Sequence, residues 1–256
     1  MRIAVAYKWA PNPQDATVGP DGVVDWSRAK PAVSEYDLVA LEVGRRLADE
    51  AGAELVGISV GGPRVATPLA RKAALSRGLD RAVVLADAAL AEAGSTRTGT
   101  ALAALVERLG GVDLVLAGDS SVDVGAQLVP AVLAGSLGWP ALSGVTAVSG
   151  TPGHLTVHRA HAGGSQVLAL TGPAVLAVAA DAAVPRVPGM KDILAAGKRP
   201  VEQVDATQVP ADGAAVEVIA TAPPELRDRR RRVIDASDPA AAAAELVAAL
   251  RADAVI

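Results

Sequence analysis

The chain has 256 residues, 51% of them hydrophobic and 20% charged, with a formal net charge of −4. That composition supplies a large core and excludes a disordered chain, and at about 150 residues per domain the length fits one α/β domain with an appendage. The absence of cysteine and an aromatic content of 2% exclude disulfide and thiolate chemistry and argue against a base-stacking nucleic-acid platform, while the acidic balance gives no pull toward nucleic acid or anionic lipid.

The first apolar run, residues 3–7, stops at Lys8. It is too short for a secretory core, and no stretch is long and apolar enough to span a membrane, so a cytoplasmic chain is expected. Similar short runs follow at 55–60, 82–85 and 114–117, of the kind that parallel strands buried on both faces show. Between them, Leu38, Leu41, Leu47 and Ala48 mark one amphipathic helix, with Glu42, Arg45, Arg46 and Asp49 on its wet side. Leu102, Leu105, Val106 and Leu109 mark another. This alternation predicts an α/β fold: a doubly wound, mostly parallel sheet with helices on both faces.

Beyond Pro140 the pattern changes. Segments 145–148, 155–159, 166–170 and 174–179 are separated by Gly and Pro turns and read as a meander, an antiparallel addition to the sheet. Thr156, His158 and Ala160 alternate with Val157, Arg159 and His161, so neither face of that segment is purely apolar. A short helix is expected over 190–196, irregular chain over 197–237, and a last helix carrying Ala243, Leu246, Val247 and Leu250 on one face. The division is therefore a nucleotide-binding α/β domain at 1–200, for reasons given next, and a C-terminal arm and helix at 201–256 suited to docking on another subunit.

The segment most suggestive of chemistry runs Gly118, Asp119, Ser120, Ser121, Val122, Asp123, Val124, Gly125, Ala126, Gln127, Leu128, Val129, Pro130. It follows a predicted strand, where doubly wound sheets bind ligands, and is expected to open a helix. Amides at the helix start, with the Ser120 and Ser121 hydroxyls, suit a phosphate, and Asp119 or Asp123 suits a ribose hydroxyl. The same residues also serve simply to cap a helix and close a turn. Neither G-x-G-x-x-G after the first strand nor a Walker-type loop occurs, and Gly61-Gly62-Pro63 reads as a tight turn. On strand geometry His154 and His158 share a face and His161 lies opposite, which reads as a solvated strand. The basic run at 227–232 has no aromatic partners and reads as a solvated or subunit-facing arm. No nucleophile–base pair of the G-x-S-x-G kind is present.

Several motifs in order resemble the β subunit of electron transfer flavoproteins, most closely the Fix-type branch. They are Lys8-Trp9-Ala10-Pro11-Asn12 after the first strand, Ser34-Glu35-Tyr36-Asp37-Leu38 opening a helix, Ser59-Val60-Gly61-Gly62, and Ala74-Leu75-Ser76-Arg77-Gly78-Leu79-Asp80-Arg81-Ala82. The Gly118 loop with Leu137-Gly138-Trp139-Pro140 continues the series, and Pro185-Arg186-Val187-Pro188-Gly189-Met190-Lys191-Asp192 closes it. The resemblance runs from residue 1 to about 205. It implies an electron carrier rather than an enzyme, paired with an α subunit that shares FAD, with AMP or a second FAD held in this chain. It places the nucleotide against Ala6, Val33, Ser34, Glu35, Tyr36, Val60 and the loop from Gly118 through Val129. It also implies a flavin dehydrogenase as electron donor and a downstream acceptor such as a quinone oxidoreductase, with Met190 as an apolar anchor for the partner and Arg186 beside it. Ordinary packing of Met190 inside the core is the other reading. Val33 stands where many members have Asn, Val129-Pro130 where many have a pair ending in Gly, and Ala160 where many have Glu. AMP and FAD therefore both stay open. The rival classes are a stand-alone adenine-nucleotide-binding signalling or stress domain, and a nucleotide-processing hydrolase, for which no base or metal set is visible.

Overall fold

The first strand, β1 (Arg2–Ala6), shows why the sheet is covered on both sides. Ile3 and Val5 project into one apolar cluster and Ala4 and Ala6 into another, the alternation that a strand's two-residue period requires. The computed structural model describes residues 1–209, 219, 225 and 231–256. Within them the chain falls into two units, Met1–Ile219 and Ala220–Ile256.

In the first unit β1 is followed by four short strands, β2 (Trp9–Pro11), β3 (Thr17–Val18), β4 (Val24–Asp25) and β5 (Pro31–Val33). These pair antiparallel, β2 with β5 and β3 with β4. Then come α1 (Glu35–Ala51), β6 (Glu54–Gly61), α2 (Pro68–Leu75), β7 (Arg81–Ala86), α3 (Ser95–Leu109), β8 (Leu114–Gly118) and α4 (Val129–Leu137). β9 (Ala141–Thr151), β10 (Gly153–His161), β11 (Gly164–Gly172), β12 (Ala174–Val178), α5 (Met190–Ala196) and β13 (Val201–Val204) complete it.

The large sheet has the order β11-β10-β9-β12-β8-β1-β6-β7-β13. From β9 to β13 every neighbouring pair is parallel, and β10 and β11 extend the β9 edge antiparallel. Leu41 and Leu47 of α1 and Leu75 of α2 cover one face; Leu102 and Leu105 of α3 and Leu133 of α4 cover the other. Burial of this kind contributes roughly 1.5–3 kcal/mol per large side chain. α1 lies close to the sheet at Gly44, where a Cβ would stand 2.9 Å from Val5 Cγ2. The chain passes from β1 outward to β6 and β7, and α3 then carries it back across to β8 on the other side of β1. That reversal opens a crevice at the carboxyl ends of β1 and β8.

The expected α/β architecture is the one observed, with local differences. Segment 174–179 is not part of the meander. It is β12, inserted parallel between β8 and β9, and all five of its residues are buried, as an apolar strand covered on both faces must be. Segment 145–148 is the middle of the longer β9. Leu155 and Val157 of β10 join the core, while Thr156, His158 and His161 are exposed and Arg159 is half-buried, so neither face of the strand is purely apolar. Within the stretch read as irregular, β13 adds an edge strand beside β7.

In the second unit α6 (Pro239–Ala252) starts where the Asp238 carboxylate accepts from Ala240 N and Ala241 N. No residue of α6 is buried, and Leu246 and Val247 of the expected stripe are exposed. Residues 227–230 of the basic run and Pro223-Pro224 lie outside the described residues.

Candidate functional site

Three strand ends meet where the winding reverses. Ala6 is level with Ile58 of β6 and Val5 with Leu116 of β8, so Ala6, Val60 and Gly118 form one rim. α1 begins there. Ser34 N donates to Lys8 O over 2.9 Å, laying the first turn of the helix against the chain leaving β1. Asp37 locks this arrangement: its Oδ2 accepts from Lys8 N at 2.7 Å and its Oδ1 from Gly118 N at 3.1 Å. A Cβ on residue 118 would stand 2.7 Å from the backbone and Cβ of Tyr36, so glycine is what lets β8 approach α1. Burial pushes the Asp37 carboxyl up to about 7; the two backbone donors and Lys8 pull the other way, and the charge of Asp123 adds to the rise.

The loop leaving β8 is tied down at several points. Asp119 N donates to Val178 O at 3.0 Å. Lys8 Nζ forms an ion pair with Asp123 at 2.7 Å. Ser121 Oγ accepts from Gly125 N at 3.2 Å. Partial burial works against the Asp123 carboxylate, but the hydrogen bond and charge of Lys8 outweigh it and hold its pKa below the usual range. Asp119 shifts the other way, raised by burial and by the nearby charge of Asp181. Ser34 Oγ and Asp119 Oδ1 are buried and have no hydrogen-bond partner among the described residues. On the far flank of the loop a cleft of about 430 Å³ is lined by Asp119, Gln127 and Ser143 with Pro130, Ala131, Leu142 and Ala177.

The sequence places the loop directly at a helix start, and here the structure differs. Gly125 and Gln127 take left-handed backbone, with φ of 64° and 56°, and interrupt the run before α4 begins at Val129 with Pro130 in its first turn. Ser120 and Ser121 therefore lie on the loop, away from the amides of α4. Of the expected contacts, Ala6, Val33, Ser34 and Gly118 are buried. Tyr36, Val60, Asp119, Ser120, Ser121, Val122, Asp123 and Val129 are half-buried, and Glu35, Val124, Gly125, Ala126, Gln127 and Leu128 are exposed. The Val33 side chain sits in the core beneath the rim. Lys8 and Asp37 complete the site without having been singled out for it. The signal for Asp37 is an acid three residues ahead of Ala40 and in line with the apolar face of α1.

A second region lies where α5 begins. Met190 is its first residue and is 73% exposed, with Val187 and Leu194 also exposed, so the core-packing reading of Met190 does not hold. Gly189, with extended backbone, caps the helix just before it, so Met190 stands at the exposed start of α5. Arg186 is ion-paired with Glu42 of α1 at 2.7 Å. Glu42, expected on the wet side of its helix, is buried, and the Arg186 hydrogen bond holds its carboxyl below the usual range against the effect of burial. Among the described residues no three His, Cys, Asp or Glu side chains are grouped to hold a metal ion, and no helix is long and apolar enough to cross a membrane.

Compared with known families, residues 21–209 match the model described as the electron transfer flavoprotein domain. The matched span includes the start of α1, the loop after β8 and the segment leading into α5.

Proposed function

We propose, for a chain that belongs to the electron transfer flavoprotein family, the role of β subunit, Fix-type, in a heterodimeric carrier, with an adenine nucleotide in the crevice at the ends of β1, β6 and β8. Members of the family bind flavin and carry electrons rather than act on a substrate of their own. FAD shared with an α subunit supplies the redox chemistry when bound. This chain's part is to bind and orient. The observation that carries the reading is the buried Ser34 hydroxyl, without a partner among the described residues, at the start of a 17-residue helix beside the strand-end rim. First-turn amides and the positive end of such a helix suit a phosphate. Ser120 and Ser121 add hydroxyl donors from the loop, which the Lys8–Asp123 pair holds over the rim. Asp119, with an oxygen unpartnered among the described residues, suits a hydroxyl or amino donor of the nucleotide, AMP or FAD.

The exposed Met190, with Val187 and Leu194, supports a docking role toward a flavin dehydrogenase, from which electrons pass through the flavin to an acceptor such as a quinone oxidoreductase. An apolar side chain exposed at a helix start gains its burial only in a partner's pocket. The test is to co-express the chain with an FAD-binding α subunit, denature the purified pair and chromatograph the released nucleotides. FAD plus AMP, or two FAD per pair, supports the proposal. A single FAD and no further adenine nucleotide overturns it.

A further inference from the structure

We propose that Glu42 is a positioning residue for partner docking: through Arg186 it fixes the surface segment that presents Met190. This rests on the reading of Met190 as a partner contact. The segment 183–189 has no regular structure, and α5 has seven residues, too few to hold its own conformation. Apolar packing holds it only at its two ends, at Ala183 and at Ala196, since Val187, Met190 and Leu194 are 91%, 73% and 63% exposed. Beside it lies a polar cleft of about 340 Å³, bordered by Arg45, Asp80, Arg186, Asp192 and Arg199. Between those ends polar contacts set its position.

Those contacts converge on one carboxylate. Glu42 Oε2 accepts from Arg186 Nε at 2.7 Å and from Arg186 N at 3.3 Å, and Oε1 accepts from Arg186 Nη2 at 3.3 Å. Backbone and guanidinium of the same residue are thus both pinned. Arg77 Nη1 donates to Arg186 O at 3.2 Å, and Asp192 Oδ2 accepts from Gly189 N at 2.9 Å, joining the pinned residue to the start of α5. Glu42 stands in the middle of α1, with its side chain 7% exposed and Arg46 on its Oε1 at 2.9 Å, so its own position is rigid. The fork geometry transfers that rigidity to the segment.

The experiment compares E42Q, R186A, the double variant and M190A in the complex with the α subunit. Hydrogen exchange of residues 184–194 is expected to quicken by about tenfold in E42Q and in R186A, and no further in the double variant, since both remove one contact. In dehydrogenase-driven flavin reduction, E42Q and R186A are expected to raise the half-saturating dehydrogenase concentration without changing the maximal rate. R186A, altered at the surface, keeps the test valid where E42Q disturbs folding. Unchanged exchange, additive effects in the double variant, or a docking defect in M190A alone overturns the inference. An unchanged half-saturation in M190A instead overturns the docking reading beneath it.

Discussion

Replacing Asp37 with Asn probes the carboxylate that joins β1, β8 and α1. In the folded chain it keeps its proton up to about pH 7, whereas the unfolded chain releases it near 3.8. Between those values the folded state holds more protons, so this group's contribution to stability is complete at low pH and is lost as pH rises through 7. Each pH unit in the window removes at most about 1.4 kcal/mol. Asn keeps the volume but turns an amide donor toward either Lys8 N or Gly118 N, which donate to Asp37 at 2.7 and 3.1 Å. One buried backbone N–H then loses its acceptor, at a cost of about 1–3 kcal/mol. The variant is expected to be less stable than the parent at pH 5 by about that amount. The gap should narrow or reverse by pH 8, where the parent carries a buried charge and the variant does not. Urea unfolding of both proteins at pH 5, 6, 7 and 8 measures this directly, read at constant m. Stability curves that stay parallel across the range would refute the role given to Asp37.

Leucine at both Ser120 and Ser121 should release the adenine nucleotide from the purified pair. Lost bonds to phosphate are worth about 1.5–3 kcal/mol each, so retention of full nucleotide content would count against the loop. Met190→Ala should weaken docking of the dehydrogenase by about tenfold or more while thermal stability stays within about 1 °C, because the side chain is exposed. A lowered melting temperature with unchanged docking would reverse that assignment. Gly118→Ala places a Cβ 2.7 Å from Tyr36 and should destabilise the fold by about 1–3 kcal/mol while lowering nucleotide content, measured by thermal unfolding and by chromatography of the denatured protein.

The parallel core was legible because burial on both faces leaves an unbroken apolar run. Leu114-Val115-Leu116-Ala117 is such a run, and it lies beside β1 as β8. The same logic applies to Ala174-Val175-Leu176-Ala177-Val178, but Gly172-Pro173 before it resembles the turns that join the hairpins, and punctuation outweighed pattern. β13 carries Glu202 and Gln203 in four residues and has a single strand neighbour among the described residues, so its sequence has no reason to look like a core strand. The crevice was legible as a cluster of Ser, Asp and Gly after a buried strand. Its separation from α4 was not, because a left-handed residue at Gln127 has no strong sequence signal.

The acids of α1 mark where helical periodicity stops being a guide. An amphipathic pattern assigns charge to solvent, yet Glu42 of the wet side is buried, and so is Asp37, which lies in line with the apolar face. Their donors come from far along the chain: Gly118 is 81 residues from Asp37, and Arg186 is 144 residues from Glu42. A buried carboxylate is stable only with such donors, and apart from Arg46 beside Glu42 no local window contains them. Both carboxylates are therefore positions at which the fold joins distant segments. Five residues of helix, about 7.5 Å of rise, separate them. One rigid element thus sets both the rim of the crevice and the segment that carries Met190, and a distortion of α1 that moves one must strain the bonds that hold the other.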